Sequence, residues 1–193
     1  MASLREKLDS AFPACKGKAL ILYAPTFRDD PESDKKLLDS FDFAAFKARF
    51  GERTELLARL HPQVHAAGGF PEGVTDVTAW PNVGELVLLS DLLITDYSSI
   101  CMDFALLRKP CIFYAYDLAA YTAQRNFYFD YKDYVPGPVA ETFGELLEAV
   151  GDTSGYKDKL ERFRAFNFGE PDGLAARRVL DSVMGKGAPQ RPR

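Results

Sequence analysis

The sequence predicts an α/β fold, a doubly wound, Rossmann-like parallel sheet with helices on both faces. Three observations lead there. KALILYAP (18–25) is a near-continuous apolar run stopped by Pro25, the pattern of a strand buried on both faces. Similar short apolar runs alternate with segments of helical period along the chain, which implies parallel strands joined by crossover helices. Polar clusters fall at the carboxyl ends of the predicted strands, where ligands bind in such sheets.

The elements follow in order. TFRDDPESDKK (26–36) is polar and reads as a loop. DFAAFKARFG (42–51) carries Phe43, Phe46 and Phe50 at helical spacing and ends on glycine. ELLARL (55–60) reads as a second strand entering His61-Pro62, and VTDVT (74–78) as a short third. NVGELVLLSD (82–91) is an amphipathic helix, LLIT (92–95) a strand, SSICMDFALLRK (98–109) a helix and CIFYAY (111–116) a strand. NFYFDYKDYVPGP (126–138) is taken as a core-covering loop closed by Pro136-Gly137-Pro138, with base or sugar stacking on its rings as the other reading. Three helices close the chain. ETFGELLEAVG (141–151) sets Phe143, Leu146, Leu147 and Val150 on one stripe. TSGYKDKLERFRAF (153–166) opens on a Thr or Ser cap, and DGLAARRVLDSVMG (172–185) is the last. The expected organisation is one domain over 1–193, with a folded core at 17–185 and a frayed tail at 186–193.

Composition narrows the function. The 193 residues are 47% hydrophobic and 27% charged, with a net charge of −4. Lys and Arg are scattered, so the basic footprint of a nucleic-acid binder is missing and any anion is held locally. Cys15, Cys101 and Cys111 show no CxxC spacing, which points to a reducing compartment rather than disulfides or zinc. MASLREKLDSAF is not a signal peptide and no apolar run spans a membrane, so a cytoplasmic location is expected.

The candidate site residues are Thr26 and Arg28 after the first strand, His61 after the second, and Thr95, Asp96, Ser98 and Ser99 after the fourth, with Asp103 one helical turn on. Serines at a helix start cap free amides; the same amides and hydroxyls also suit a phosphate. Arg28 can pair with phosphate or sit in a solvated loop beside Asp29 and Asp30. His61 can neutralise a phosphate or move a proton, or be a plain loop residue. HPQVH places His65 near His61, but Pro62 interrupts and a third ligand is missing, so neither metal nor cofactor is expected. No GxGxxG or Walker sequence follows a strand.

YAPTFRDD (23–30), LHP (60–62), LLSDLLITDYSSICMDFALLRKPCIFYAYDL (88–118) and FYFDY with PGP (127–138) resemble, in matching order, the CDP-glycerol glycerophosphotransferase family, the teichoic-acid and capsule polymerases and primases. PDGLAARRV (171–179) resembles a weakened form of that family's terminal Asp-Gly motif, with Leu174, Ala175 and Ala176 replacing the usual lysine or polar residues. The resemblance implies a two-domain GT-B architecture of which this chain matches the C-terminal, nucleotide-binding half. LREKLDSAF falls where the family's interdomain region gives way to that half, so a missing N-terminal acceptor domain is the expected partner. It also implies that CDP-glycerol, or a related CDP-alcohol such as CDP-ribitol, binds with its diphosphate near His61 and the Ser98-Ser99 helix start. His61 would then help transfer glycerol phosphate to an acceptor hydroxyl, releasing CMP. Family members act at the inner membrane face, and any membrane contact would belong to other parts of the full-length protein.

Three other readings stand beside this one. A non-catalytic nucleotide-binding module would keep the donor site alone, and a transferase could use a nucleotide-sugar instead. A receiver-like signalling domain would use Asp96 as phosphoacceptor and leave His61 and the serine pair without a role.

Overall fold

In the computed structural model, which describes residues 1–28, 31–61, 70–168 and 171–185, six parallel strands form one sheet in the order β3-β2-β1-β4-β5-β6. They are β1 Ala19–Ala24, β2 Thr54–Ala58, β3 Val74–Asp76, β4 Leu92–Thr95, β5 Cys111–Tyr114 and β6 Val139–Ala140. The order reverses between β1 and β4, which opens a crevice outside their carboxyl ends.

The apolar strands divide their side chains between two cores because successive residues point to opposite faces. Leu20 and Leu22 of β1, Leu57 of β2, Leu93 of β4 and Phe113 of β5 share one cluster. Against it pack Leu8 of α1 (Ala2–Ala11), Leu86 of α4 (Val83–Leu89), Phe104 of α5 (Ile100–Leu106) and Leu160 and Phe163 of α9 (Lys157–Phe168). Ile21, Tyr23, Leu56, Ile94, Ile112 and Tyr114 point the other way. They meet Phe43 and Phe46 of α3 (Phe43–Phe50) and Leu146 of α8 (Phe143–Gly151). Short polar caps start these helices. Asp42 accepts from the amide of Ala45, and Thr142 with Glu145 forms a reciprocal capping box on α8.

Several expectations need correction. The segment 26–36 is not all loop, since α2 spans Pro31–Asp39 and buries Leu37. Its exposed side carries Glu32–Lys36 and Lys35–Asp39 pairs at i,i+4 instead of an apolar stripe. Order begins ahead of residue 17, because α1 buries Leu8. The span 126–138 holds a single helical turn, α7 (Tyr131–Tyr134), and leads into the two-residue edge strand β6. Two further helices are α6 (Leu118–Arg125), which follows β5, and α10 (Ala175–Val183), which lies within the expected last helix. The helix expected from Ser98 starts at Ile100. Asp29, Asp30, Pro62, His65 and the 186–193 tail lie outside the described residues.

Candidate functional site

Three strand ends supply the site. The chain leaves β1 at Ala24 and turns through Pro25, Thr26 and Phe27. It leaves β2 through Arg59, Leu60 and His61, and β4 through Asp96 to Ser99. Thr26, Phe27, His61, Ser98, Ser99 and Asp103 line a single crevice of about 560 Å³. The His61 ring lies 4.5 Å from the Phe27 ring, centroid to centroid, so the β1 and β2 turns meet face to face.

The serine pair is only weakly engaged as a cap. Ser99 occupies the N-cap position of α5, but its side chain makes no capping bond. Ser98 Oγ accepts from the Ile100 amide at 3.3 Å, a long contact. Ser98 is half-buried and Ser99 exposed, so both hydroxyls are open to a ligand.

Thr26 lines the crevice but buries its own hydroxyl, and the other three candidates likewise direct their polar atoms inward. Thr95 is fully buried and its hydroxyl donates to the Ala24 carbonyl at 2.7 Å, tying β4 to β1. Asp96 is 1% exposed, and its Oδ1 accepts from the amides of Thr26 and Tyr97, both at 2.7 Å. Burial pushes the Asp96 carboxyl above the ordinary carboxylate range, while the Arg28 charge and those amides pull it back. Arg28 is not a solvated loop residue. It is 8% exposed, with Nη2 3.0 Å from Asp96 Oδ2 and Nη1 donating to the Thr26 carbonyl. Its Nε and Nη2 donate to the two carboxylate oxygens of Asp117 at 2.8 and 3.1 Å. A guanidinium so enclosed holds the turns after β1, β4 and β5 together rather than reaching for a ligand in the crevice.

Asp117 and Tyr97 are two residues that sequence reasoning missed. The Tyr97 hydroxyl donates to Asp117 Oδ1 at 2.8 Å, and its ring stacks on Tyr121 at 3.6 Å. Asp117 lies in the run YAYDL just beyond β5, so extending the carboxyl-edge rule to that strand would have found it. Two of the 126–138 aromatics, Phe127 and Tyr131, support this floor as core. The buried Tyr131 donates from its hydroxyl to the Asp96 carbonyl, and Phe127 packs 4.9 Å from the Tyr131 ring. Tyr128 alone among the aromatics of that span is fully exposed. Among the described residues, no three His, Cys, Asp or Glu side chains gather to hold a metal. No helix is long and apolar enough to cross a membrane among those residues.

Sheet order and crevice together define a Rossmann-like domain of the kind that forms one half of a GT-B-type architecture. The structure of the wall teichoic acid polymerase TagF matches it with a TM-score of 0.74 at 27% identity, over 95% of this chain and 47% of that one. The UDP-GlcNAc 2-epimerase from Neisseria meningitidis shares the fold alone, with a TM-score of 0.54 at 13% identity over 96% of this chain and 50% of that one. Residues 2–185 match the family CDP-Glycerol:Poly(glycerophosphate) glycerophosphotransferase, and the chain belongs to that family. A teichoic acid poly(ribitol-phosphate) polymerase of Bacillus spizizenii is 33% identical over 95% of this chain and 30% of its own length. A teichoic acid glycerol-phosphate transferase of Staphylococcus aureus is 34% identical over 86% of this chain and 45% of its own. The chain thus spans less than half the length of either relative.

Proposed function

We propose that the crevice binds a CDP-linked polyol and that its rim assists transfer of the polyol phosphate to an acceptor hydroxyl, releasing CMP. The observation that carries this reading is the meeting of Thr26, His61, Ser98 and Ser99 around one crevice in a member of a glycerophosphotransferase family. A variant of TagF soaked with CDPG supports the same donor class.

In this reading the acceptor oxygen attacks the phosphorus bearing the polyol. The bond from that phosphorus to the bridging oxygen breaks, CMP leaves with the electron pair, and the hydroxyl proton passes to a base. Catalysis of such a transfer rests on positioning and on stabilising charge at the phosphoryl oxygens. The Ser98 and Ser99 hydroxyls donate to the diphosphate, and His61 neutralises charge and exchanges a proton near the reacting phosphorus. Thr95, Asp96 and Arg28 act indirectly by fixing the turns. In this reading the acceptor is bound by a further domain, for which the greater length of the relatives leaves room.

Relatives at nearly equal identity differ in the polyol, ribitol in one and glycerol in the other, so the alcohol itself is left open between them. Calorimetric titration of the chain with CDP-glycerol, CDP-ribitol and CMP tests the reading. Saturable binding is expected, and Ser98→Ala with Ser99→Ala should weaken it about tenfold or more, two hydrogen bonds of roughly 1 kcal/mol each being removed. Full affinity in the double variant, or no cytidine nucleotide bound by the parent, would overturn it. In a turnover-competent full-length enzyme, His61→Ala should reduce kcat more than donor affinity. Turnover that ignores this substitution favours the non-catalytic reading of this site.

A further inference from the structure

The crevice contains one cation that sequence reasoning passed over. Arg59 directly follows β2, and its amide donates to the Tyr23 carbonyl at 2.9 Å. Its Nη1 donates to the carbonyls of Trp80 at 2.7 Å and Val77 at 3.2 Å. Among the described residues no carboxylate pairs with Arg59, and Nε and Nη2 have no partner. The side chain lines the same crevice as Thr26, Ser98 and Ser99.

The contrast with Arg28 is physical. Arg28 is enclosed and neutralised by Asp96 and Asp117. Arg59 is half-buried and, among the described residues, bonds to carbonyls alone, and desolvation lowers its pKa from the ordinary arginine value. A guanidinium stays protonated regardless, so it retains an unmatched charge beside the crevice. Such a charge is costly unless an anion meets it. The anchoring also matters, because the two carbonyls hold Nη1 and so fix the plane of the group. The edge left over, Nε and Nη2, is the fork that pairs two oxygens of a phosphate.

We propose that Arg59 is the diphosphate-binding cation of the crevice, held by Val77 and Trp80 and donating through Nε and Nη2 to the donor's phosphate oxygens. This rests on the crevice being the donor site, and it names the group that distinguishes a diphosphate from a monophosphate there. It also assigns a purpose to the residue pattern of LARLHP, which places Arg59 two positions ahead of His61 at one strand end.

The test is calorimetry on the 193-residue chain with CDP-glycerol, CDP and CMP, for the parent and for Arg59→Gln. Failure of the parent to bind any of them sinks the donor-site reading itself. Where the parent binds, Arg59→Gln should weaken CDP-glycerol and CDP tenfold to a hundredfold, the range for a charge-assisted pair, and CMP markedly less. Equal weakening of all three, or none, overturns the assignment while leaving the donor site standing. Should Arg59→Gln fail to fold, Arg59→Lys supplies the same comparison. A single ammonium cannot hold two carbonyls and two phosphate oxygens together, so the diphosphates should again lose more than CMP.

Discussion

Arg28 and Asp117, 89 residues apart, form a two-pronged ion pair at 2.8 and 3.1 Å that locks the turn after β1 to the residue before α6. Tyr97 shares the same carboxylate from the turn after β4, so one side chain joins three strand ends. Asp117→Ala leaves a buried guanidinium with Asp96 as its remaining carboxylate. The expected cost is about 3 kcal/mol, a fall in Tm of roughly 6 to 12 °C for a chain of this size. Asp117→Asn keeps an acceptor for Tyr97 and should lose less. An unchanged melting temperature in Asp117→Ala would show that the clamp contributes nothing.

Alkaline pH should destabilise the fold. Burial pushes the Cys15 thiol from its ordinary 9.0 to about 11, with the Glu55 charge adding to the effect, and burial pushes Cys101 to about 12. Burial, then the Asp117 charge, raises Tyr116 from 10.0 to about 12. A folded-state pKa above the unfolded one means that the folded chain retains protons the unfolded chain gives up. The stabilisation is therefore complete below pH 9 and is lost as pH rises from about 9 towards 12. Urea midpoints measured from pH 7 to 11 should hold level and then decline. At pH 8 the native thiols should resist an alkylating reagent that labels the urea-unfolded chain.

Gly137 is fixed by close approach. A Cβ placed there would lie 1.8 Å from the Cys111 carbonyl oxygen, at the start of β5 where the turn into β6 passes. Gly137→Ala must push backbone apart, and a loss of more than about 3 kcal/mol is expected by chemical denaturation. Gly144, inside α8, has nothing within 4 Å of the same position. Gly144→Ala should leave stability level or raise it by up to about 1 kcal/mol. Equal effects of the two substitutions would contradict the packing described.

The parts of the fold legible in the sequence are those whose burial leaves a periodic trace. β1, β4 and β5 are buried runs flanked by turn residues, and α3 and α8 carry apolar stripes behind polar caps. β6 left no trace because two residues on a sheet edge have no period, and its place is set by pairing with Phe113 and Tyr114. α2 was hidden by its charges, which support a helix through i,i+4 pairs while Leu37 is buried in the core.

From the sequence by itself come the fold class, the family, and the gathering of Thr26, His61, Ser98 and Ser99 at one sheet edge. The fold class and the gathering follow from local periodicity and the strand-end rule, and the family from the resemblance of motifs such as SDLLITDYSS, none of which needs distant contacts. Only the tertiary structure decided that Thr95, Asp96 and Arg28 turn inward while Arg59 lines the crevice with, among the described residues, no carboxylate beside it. Whether a polar group faces protein or solvent depends on the partners that reach it. Those partners, Ala24 for Thr95, Asp117 for Arg28, and Val77 and Trp80 for Arg59, come from other strand ends that local spacing cannot bring together.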